Sequence, residues 1–142
     1  MTGLGPAARV PAIESPPRRV LIVDDSRDAR TILKLLLTKL GHEAREAGDG
    51  ESGMAVSREF LPEVVFCDIM LPGEMSGYGF AKAARQEDDL RELCIVAVSG
   101  REGYEHEQQA YDAGFDRVLR KPVELADLAS ILRTLPRRKG RG

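Results

Sequence analysis

The sequence predicts an α/β fold, a five-stranded parallel sheet with helices on both faces. Two observations predict it. Short apolar runs alternate with amphipathic segments five times along the chain, and the central runs are continuously apolar rather than alternating with polar residues. Strict strand–helix alternation requires parallel strands joined by crossovers. A continuously apolar strand is one covered from both sides.

Residues 1–17, through Pro16-Pro17, are rich in Gly, Pro and Ala without periodicity and read as a flexible leader. The folded domain is expected over 18–135. Val20-Leu21-Ile22-Val23 is too short for a helix and β-branched enough for the first strand. Ser26 can cap the next segment. There Ala29, Ile32, Leu33, Leu36, Leu37 and Leu40 recur at three- and four-residue spacing until Gly41 stops the helix. His42 to Ala47 is a half-polar strand suited to a sheet edge, followed by a helix over Gly50–Phe60. Val64–Cys67 is the third strand and Tyr78–Gln86 its helix. Leu93–Val98 is the fourth strand, followed by a polar helix over Glu102–Ala113 that Gly114 ends. Phe115–Leu119 is the last strand and Glu124–Leu135 the last amphipathic helix.

With right-handed crossovers, five such units favour the strand order 2-1-3-4-5, a flavodoxin-like three-layer sandwich with five helices. The order reverses between the first and third strands, so a ligand belongs beyond their carboxyl ends. Composition narrows the classes. A net charge of −2 argues neither for a nucleic-acid coat nor for an acidic tail, and no apolar stretch approaches a membrane span. The N-terminus has no long apolar signal segment, which makes a cytoplasmic location the default. Cys67 and Cys94 sit in apolar runs without metal-ligand spacing and read as buried small hydrophobes. Residues 136–142 form a short basic tail, with too few charges for more than weak, salt-sensitive affinity for nucleic acid.

The predicted crevice collects Asp24, Asp25 and Asp68. Singly, each could cap a helix. Three unpaired carboxylates gathered together repel one another and call for a cation, and an all-oxygen site suits Mg²⁺. Ser99 ends the fourth strand at the same edge, and Lys121-Pro122 follows the fifth. A carboxylate, a metal, a hydroxyl and an ammonium together suit a phosphoryl group, whose transfer needs positioning and charge neutralisation. An aspartate nucleophile, with an ordinary pKa near ~4, needs no general base. His42 and His106 receive no role.

Val20-Leu21-Ile22-Val23-Asp24-Asp25-Ser26, Asp68-Ile69-Met70-Leu71-Pro72-Gly73, Ser99-Gly100 and Lys121-Pro122, in this order, resemble the receiver domains of two-component response regulators. Ala47-Gly48-Asp49-Gly50-Glu51 and Ala113-Gly114-Phe115-Asp116 look like turns of the same family, and the resemblance covers residues 18–135. It implies a single-domain regulator that is a signalling phosphoacceptor, catalysing only its own phosphorylation and dephosphorylation. Asp68 would be the phosphoacceptor. Asp25 would hold Mg²⁺ directly, Asp24 through a coordinated water, and Met70 through its backbone carbonyl. Lys121 would contact the phosphoryl group, Ser99 would carry the conformational signal, and the bond to Pro122 would be cis. Met70 and Arg101 would tune phosphoryl lifetime. The implied partners are a sensor histidine kinase or histidine phosphotransfer protein, and a downstream effector protein. A homodimer through the fourth helix, fifth strand and fifth helix is also implied, with Asp112, Asp116, Arg117, Arg120 and Glu124 as candidate charged contacts. Neither nucleic acid nor membrane is expected as a partner.

The chain departs from the family pattern in three places, one of them the pair Met70 and Arg101 at the lifetime-tuning positions. Val118 stands where receivers usually carry an aromatic residue, so the readout is expected to run through the fourth helix and its flanking loops. The loop Pro72–Gly77 is one residue longer than the commonest form and resembles loops in receivers attached to hybrid sensor kinases. Three alternatives fit less well. A phosphatase of the haloacid dehalogenase type would place an Asp where Met70 stands. A dinucleotide-binding domain would need a Gly-rich phosphate loop where Asp24-Asp25-Ser26-Arg27-Asp28 stands. A receiver that binds partners without phosphorylation would not need the intact acidic set, Ser99 and Lys121.

Overall fold

The computed structural model of the chain describes residues 16–100 and 104–135. Most of the leader, the basic tail and Arg101 lie outside them. Five strands, β1 (Arg19–Val23), β2 (Glu43–Ala47), β3 (Val64–Asp68), β4 (Cys94–Ser99) and β5 (Arg117–Arg120), alternate with five helices. The helices are α1 (Arg27–Lys39), α2 (Gly50–Phe60), α3 (Gly77–Arg85), α4 (Tyr104–Ala113) and α5 (Leu125–Thr134). All strand pairs are parallel and the order is β2-β1-β3-β4-β5, as the sequence predicts.

Side-chain alternation along each central strand divides the core in two. Leu21, Val23, Val65, Cys67, Ile95 and Ala97 face the helices α2, α3 and α4, packing on Met54, Phe80, Ala84 and Ala110. Val20, Ile22, Val64, Phe66, Val96 and Val98 face α1 and α5, packing on Leu33, Leu37, Leu128 and Leu132. Both strand faces are buried, so these strands have no polar positions to show. Burying each such side chain contributes roughly 1.5–3 kcal/mol. The edge strand β2 shows the alternation the centre lacks over Glu43–Glu46, with Glu43 and Arg45 exposed and Ala44 and Glu46 half-buried.

Local signals set the helix ends. Ser26 caps α1 by accepting the Ala29 N–H at 3.2 Å. Asp49 accepts the Ser52 N–H at 2.8 Å in a capping box at α2. Ser76 accepts the Gly79 N–H at 3.2 Å at α3. Gly41 and Gly114 adopt positive φ just past α1 and α4. The last strand starts two residues later than its apolar pattern suggests. Phe115 is buried in the preceding turn, and Asp116 leads into β5 by exchanging bonds with Ile95: its N–H donates to the Ile95 carbonyl at 2.7 Å and its carboxylate accepts the Ile95 N–H at 2.8 Å. Among the described residues, no helix is long and apolar enough to cross a membrane.

Candidate functional site

In-register pairing of Val23 with Cys67 and of Asp68 with Val98 brings three strand ends to one level at the carboxyl edge of the sheet. Asp24 and Asp25 follow β1, Asp68 ends β3 and Ser99 ends β4. Each of the three carboxylates offers an oxygen within 4.8 Å of the others. Asp24 is 2% and Asp68 7% exposed, whereas Asp25 faces solvent. An all-oxygen donor set this compact and this acidic fits a hard divalent cation such as Mg²⁺.

The cluster is held from both sides. Asp24 accepts the Ser26 N–H at 2.9 Å, and Asp68 accepts the Met70 N–H at 2.9 Å. Lys121, carried by the β5–α5 loop beside the cis Lys121–Pro122 peptide, places Nζ 3.1 Å from Asp68 Oδ2 and 3.5 Å from Asp24 Oδ2. Its own N–H donates to the Ser99 carbonyl at 2.9 Å, so the ends of β4 and β5 are tied together beneath the ammonium. Burial pushes the Asp68 carboxyl above the ordinary carboxylate range. The Met70 amide and Lys121 pull it back without cancelling that cost, and Asp24 adds to it. Burial works against the Lys121 charge as well, but Asp68 and Asp24 outweigh it and raise its pKa. The lysine therefore gains from the pair, while Asp68 remains a carboxylate poorly compensated for its lost hydration.

Asp24, Asp25, Asp68 and Lys121 thus converge. Ser99 is buried one residue beyond the strand position paired with Asp68. Met70 reaches the site through its backbone N–H, and its side chain is 55% exposed. Cys67 is buried with its thiol 3.3 Å from the Asp68 carbonyl, and burial pushes that thiol far above its usual range. A cleft of about 430 Å³ opens beside Asp24 and Lys121, lined by Ile32, Leu33 and Val123.

Two contributors were not legible as site residues. Gly77, the first residue of α3, lies so close to β3 that a Cβ there would meet the Asp68 carbonyl oxygen at 2.3 Å and the Ile69 Cα at 2.7 Å. Its N–H donates to the Ile69 carbonyl at 2.9 Å. In sequence it reads only as the end of a Gly-rich loop. Arg30, four residues after the α1 cap, donates from Nη1 to the Asp24 carbonyl at 2.8 Å and from Nε to Glu46 at 2.8 Å. An arginine on an amphipathic helix reads as a solvated side chain, and its partners become visible only when β1 and β2 are paired.

The family model for the response regulator receiver domain matches residues 20–133. The Vibrio cholerae chemotaxis protein CheY4 superposes with a TM-score of 0.77 at 27% identity, over 82% of this chain and 97% of that one. The DNA-binding dual master transcriptional regulator RpaA of Synechocystis is 25% identical over 123 residues, 87% of this chain and 51% of RpaA. The transcriptional regulatory protein AfsQ1 of Streptomyces coelicolor is 31% identical over 119 residues, 84% of this chain and 51% of AfsQ1. The chain spans about half the length of these two curated relatives. A family model spanning nearly the whole described chain, on the matching fold and with the acidic cluster at the expected strand ends, leaves one assignment: the chain belongs to the response regulator receiver domain family.

Proposed function

We propose that residues 18–135 act as a phosphoacceptor receiver in two-component or phosphorelay signalling, with Asp68 as the accepting group. The observation that carries this reading is the Asp68 carboxylate, buried, poorly compensated and 3.1 Å from Lys121 in a cluster with Asp24 and Asp25. Asp68 attacks the phosphorus of a phosphohistidine on a sensor kinase or phosphotransfer protein. The P–N bond breaks with its electron pair going to the imidazole, and an acyl phosphate forms on Asp68. Asp25, Asp68 and the Met70 carbonyl would hold Mg²⁺, with Asp24 acting through a coordinated water. Bound there, Mg²⁺ supplies charge neutralisation for the phosphoryl oxygens. Lys121 leaves its ion pair with the carboxylate to contact a phosphoryl oxygen, and Ser99 takes another. Met70 and Arg101 would set how long the phosphoryl group survives.

Output runs through contact with an effector protein in the cytoplasm. Val118 is half-buried against the core beneath α4, so the signal passes through α4 and its flanking loops rather than through an aromatic rotamer. A homodimer through the face formed by α4, β5 and α5 would use Arg117, Asp112 and Glu124. Two other candidates there are in ion pairs within the chain, Asp116 with Arg85 and Arg120 with Glu107, and Asp112 already accepts from Gln108 at 2.9 Å.

Incubation with Mg²⁺ and acetyl phosphate, followed by intact mass measurement, tests the reading. One base-labile phosphoryl group is expected on the parent and none on Asp68→Asn. Equal labelling of the two, or no labelling of the parent, would refute it.

A further inference from the structure

Asp25 poses a physical problem. It is the exposed member of the cluster, and among the described residues its carboxylate has no hydrogen bond or ion pair. Its oxygen nevertheless lies within 4.8 Å of two other carboxylates. Like charges at that range repel, and a solvent-exposed side chain with no partner is free to swing away. Whatever keeps Asp25 aimed at the cluster must act through its backbone.

The two peptides flanking the Asp25 Cα can do so: the one to Ser26 is held by its N–H, which donates to Asp24 Oδ1 at 2.9 Å, and the one from Asp24 is held at its carbonyl. The carbonyl oxygen of the latter belongs to Asp24 and its nitrogen to Asp25. Holding the oxygen therefore fixes the plane from which the Asp25 side chain departs. Arg30 holds it, donating from Nη1 at 2.8 Å. The guanidinium is itself oriented by Glu46, which accepts from Nε at 2.8 Å and lies 3.6 Å from Lys34. That hydrogen bond with Arg30 keeps the Glu46 carboxyl below its ordinary pKa. Gly48 leaves the space, since a Cβ there would meet Arg30 Nη1 at 3.3 Å.

We infer that Arg30 is a positioning residue for the cation-binding half of the site, aiming Asp25 by clamping the Asp24–Asp25 peptide against Glu46; this rests on the function proposed above. The inference opposes what charge alone dictates. As a bare cation Arg30 repels a divalent metal, so its removal would tighten Mg²⁺ binding. As a clamp, its removal loosens the ligand set and weakens binding. Arg30→Lys separates the two further, because it keeps the charge but not the planar fork that spans both acceptors.

Mg²⁺ titration of the full chain by calorimetry, with parent, Arg30→Met, Arg30→Lys and Glu46→Gln, tests this. Both Arg30 variants are expected to raise the Mg²⁺ dissociation constant about tenfold, the lower end of the range seen when a group supporting a metal ligand is lost, and Glu46→Gln, one contact further out, is expected to raise it by less. Saturating Mg²⁺ should then restore the rate of labelling by acetyl phosphate. Tighter or unchanged binding in Arg30→Met, or a rate deficit that Mg²⁺ does not repair, overturns the role. Should Arg30→Met fail to fold, unchanged binding in both Arg30→Lys and Glu46→Gln overturns it instead. A parent that neither binds Mg²⁺ nor is labelled refutes the proposed function itself. A parent that does both, with Arg30 variants indistinguishable from it, overturns Arg30 alone.

Discussion

The two ends of the sheet are built from opposite charges and to opposite purposes. At the amino edge, where the helices end, arginines meet backbone carbonyls that have no helical partner. Arg18 donates to the Leu135 carbonyl at 2.8 Å and lies 3.7 Å from Glu63. Arg19 donates to the carbonyl of Leu61, at 2.7 Å from Nη2. Arg85 donates to the carbonyls of Gly114 and Leu93, each at 2.6 Å, to that of Arg91 at 2.7 Å, and to Asp116 at 2.9 Å. Cations suit helix C-termini because the last carbonyls and the dipole are both negative there. At the carboxyl edge three carboxylates cluster, and one lysine pairs with two of them, Asp24 and Asp68. One end matches arginines to helix-end carbonyls and contributes stability. The other retains mutual repulsion, which a cation and a phosphoryl group would relieve.

Breaking the matched end should have the largest effect. Arg85→Met leaves several carbonyls without their donor, and about 2–3 kcal/mol of stability should be lost. Urea denaturation should show a lower midpoint with an unchanged slope, while Mg²⁺ affinity stays at the parent value. Gly77→Ala should cost about 1–3 kcal/mol, because the atoms in the way are the backbone of Asp68 and Ile69 and cannot move aside like a flexible side chain. Unlike Arg85→Met, it should also slow labelling of Asp68, since the displaced strand end carries the accepting carboxylate.

At the repulsive end, ligand should stabilise. Mg²⁺ at ten times its dissociation constant should add about 1.4 kcal/mol. Asp25→Asn should abolish most of that gain while leaving the Mg²⁺-free melting midpoint nearly unchanged, because Asp25 is exposed. The smallest expected effect is a rise of a few degrees in the Mg²⁺-free melting midpoint of Asp68→Asn at neutral pH. Its sign follows from linkage. A folded-state carboxyl pKa raised above the unfolded one means that the native protein binds the proton more tightly. Ionisation of Asp68 then costs stability as pH rises through that raised value, and the cost is absent below the unfolded value. Asparagine can still accept the Met70 N–H and carries no charge to desolvate. The melting midpoint of Asp68→Asn should therefore exceed the parent's above that window and converge with it in acid. A lower midpoint at neutral pH would mean that the Lys121 ion pair outweighs burial.

Much of this molecule was legible because its signals are local. Val20–Val23 and Val64–Cys67 announce buried strands by apolar content alone, and Ser26, Gly41 and Gly114 mark helix ends through their own hydrogen bonding or backbone freedom. The strand order follows from crossover handedness, and that order already brings Asp24, Asp25 and Asp68 to one crevice. Tertiary structure decided what depends on groups distant in sequence. The sequence points to the Met70 carbonyl and its place beside the site, yet its N–H also supports Asp68. Gly77 is required by the approach of a helix to the end of a strand nine residues earlier. Arg30 reaches Glu46 only once β2 lies beside β1. Periodicity and composition report which faces a residue buries, because burial depends on the element's own geometry. They do not report which carbonyl a guanidinium will find, because that depends on where another part of the chain has been placed.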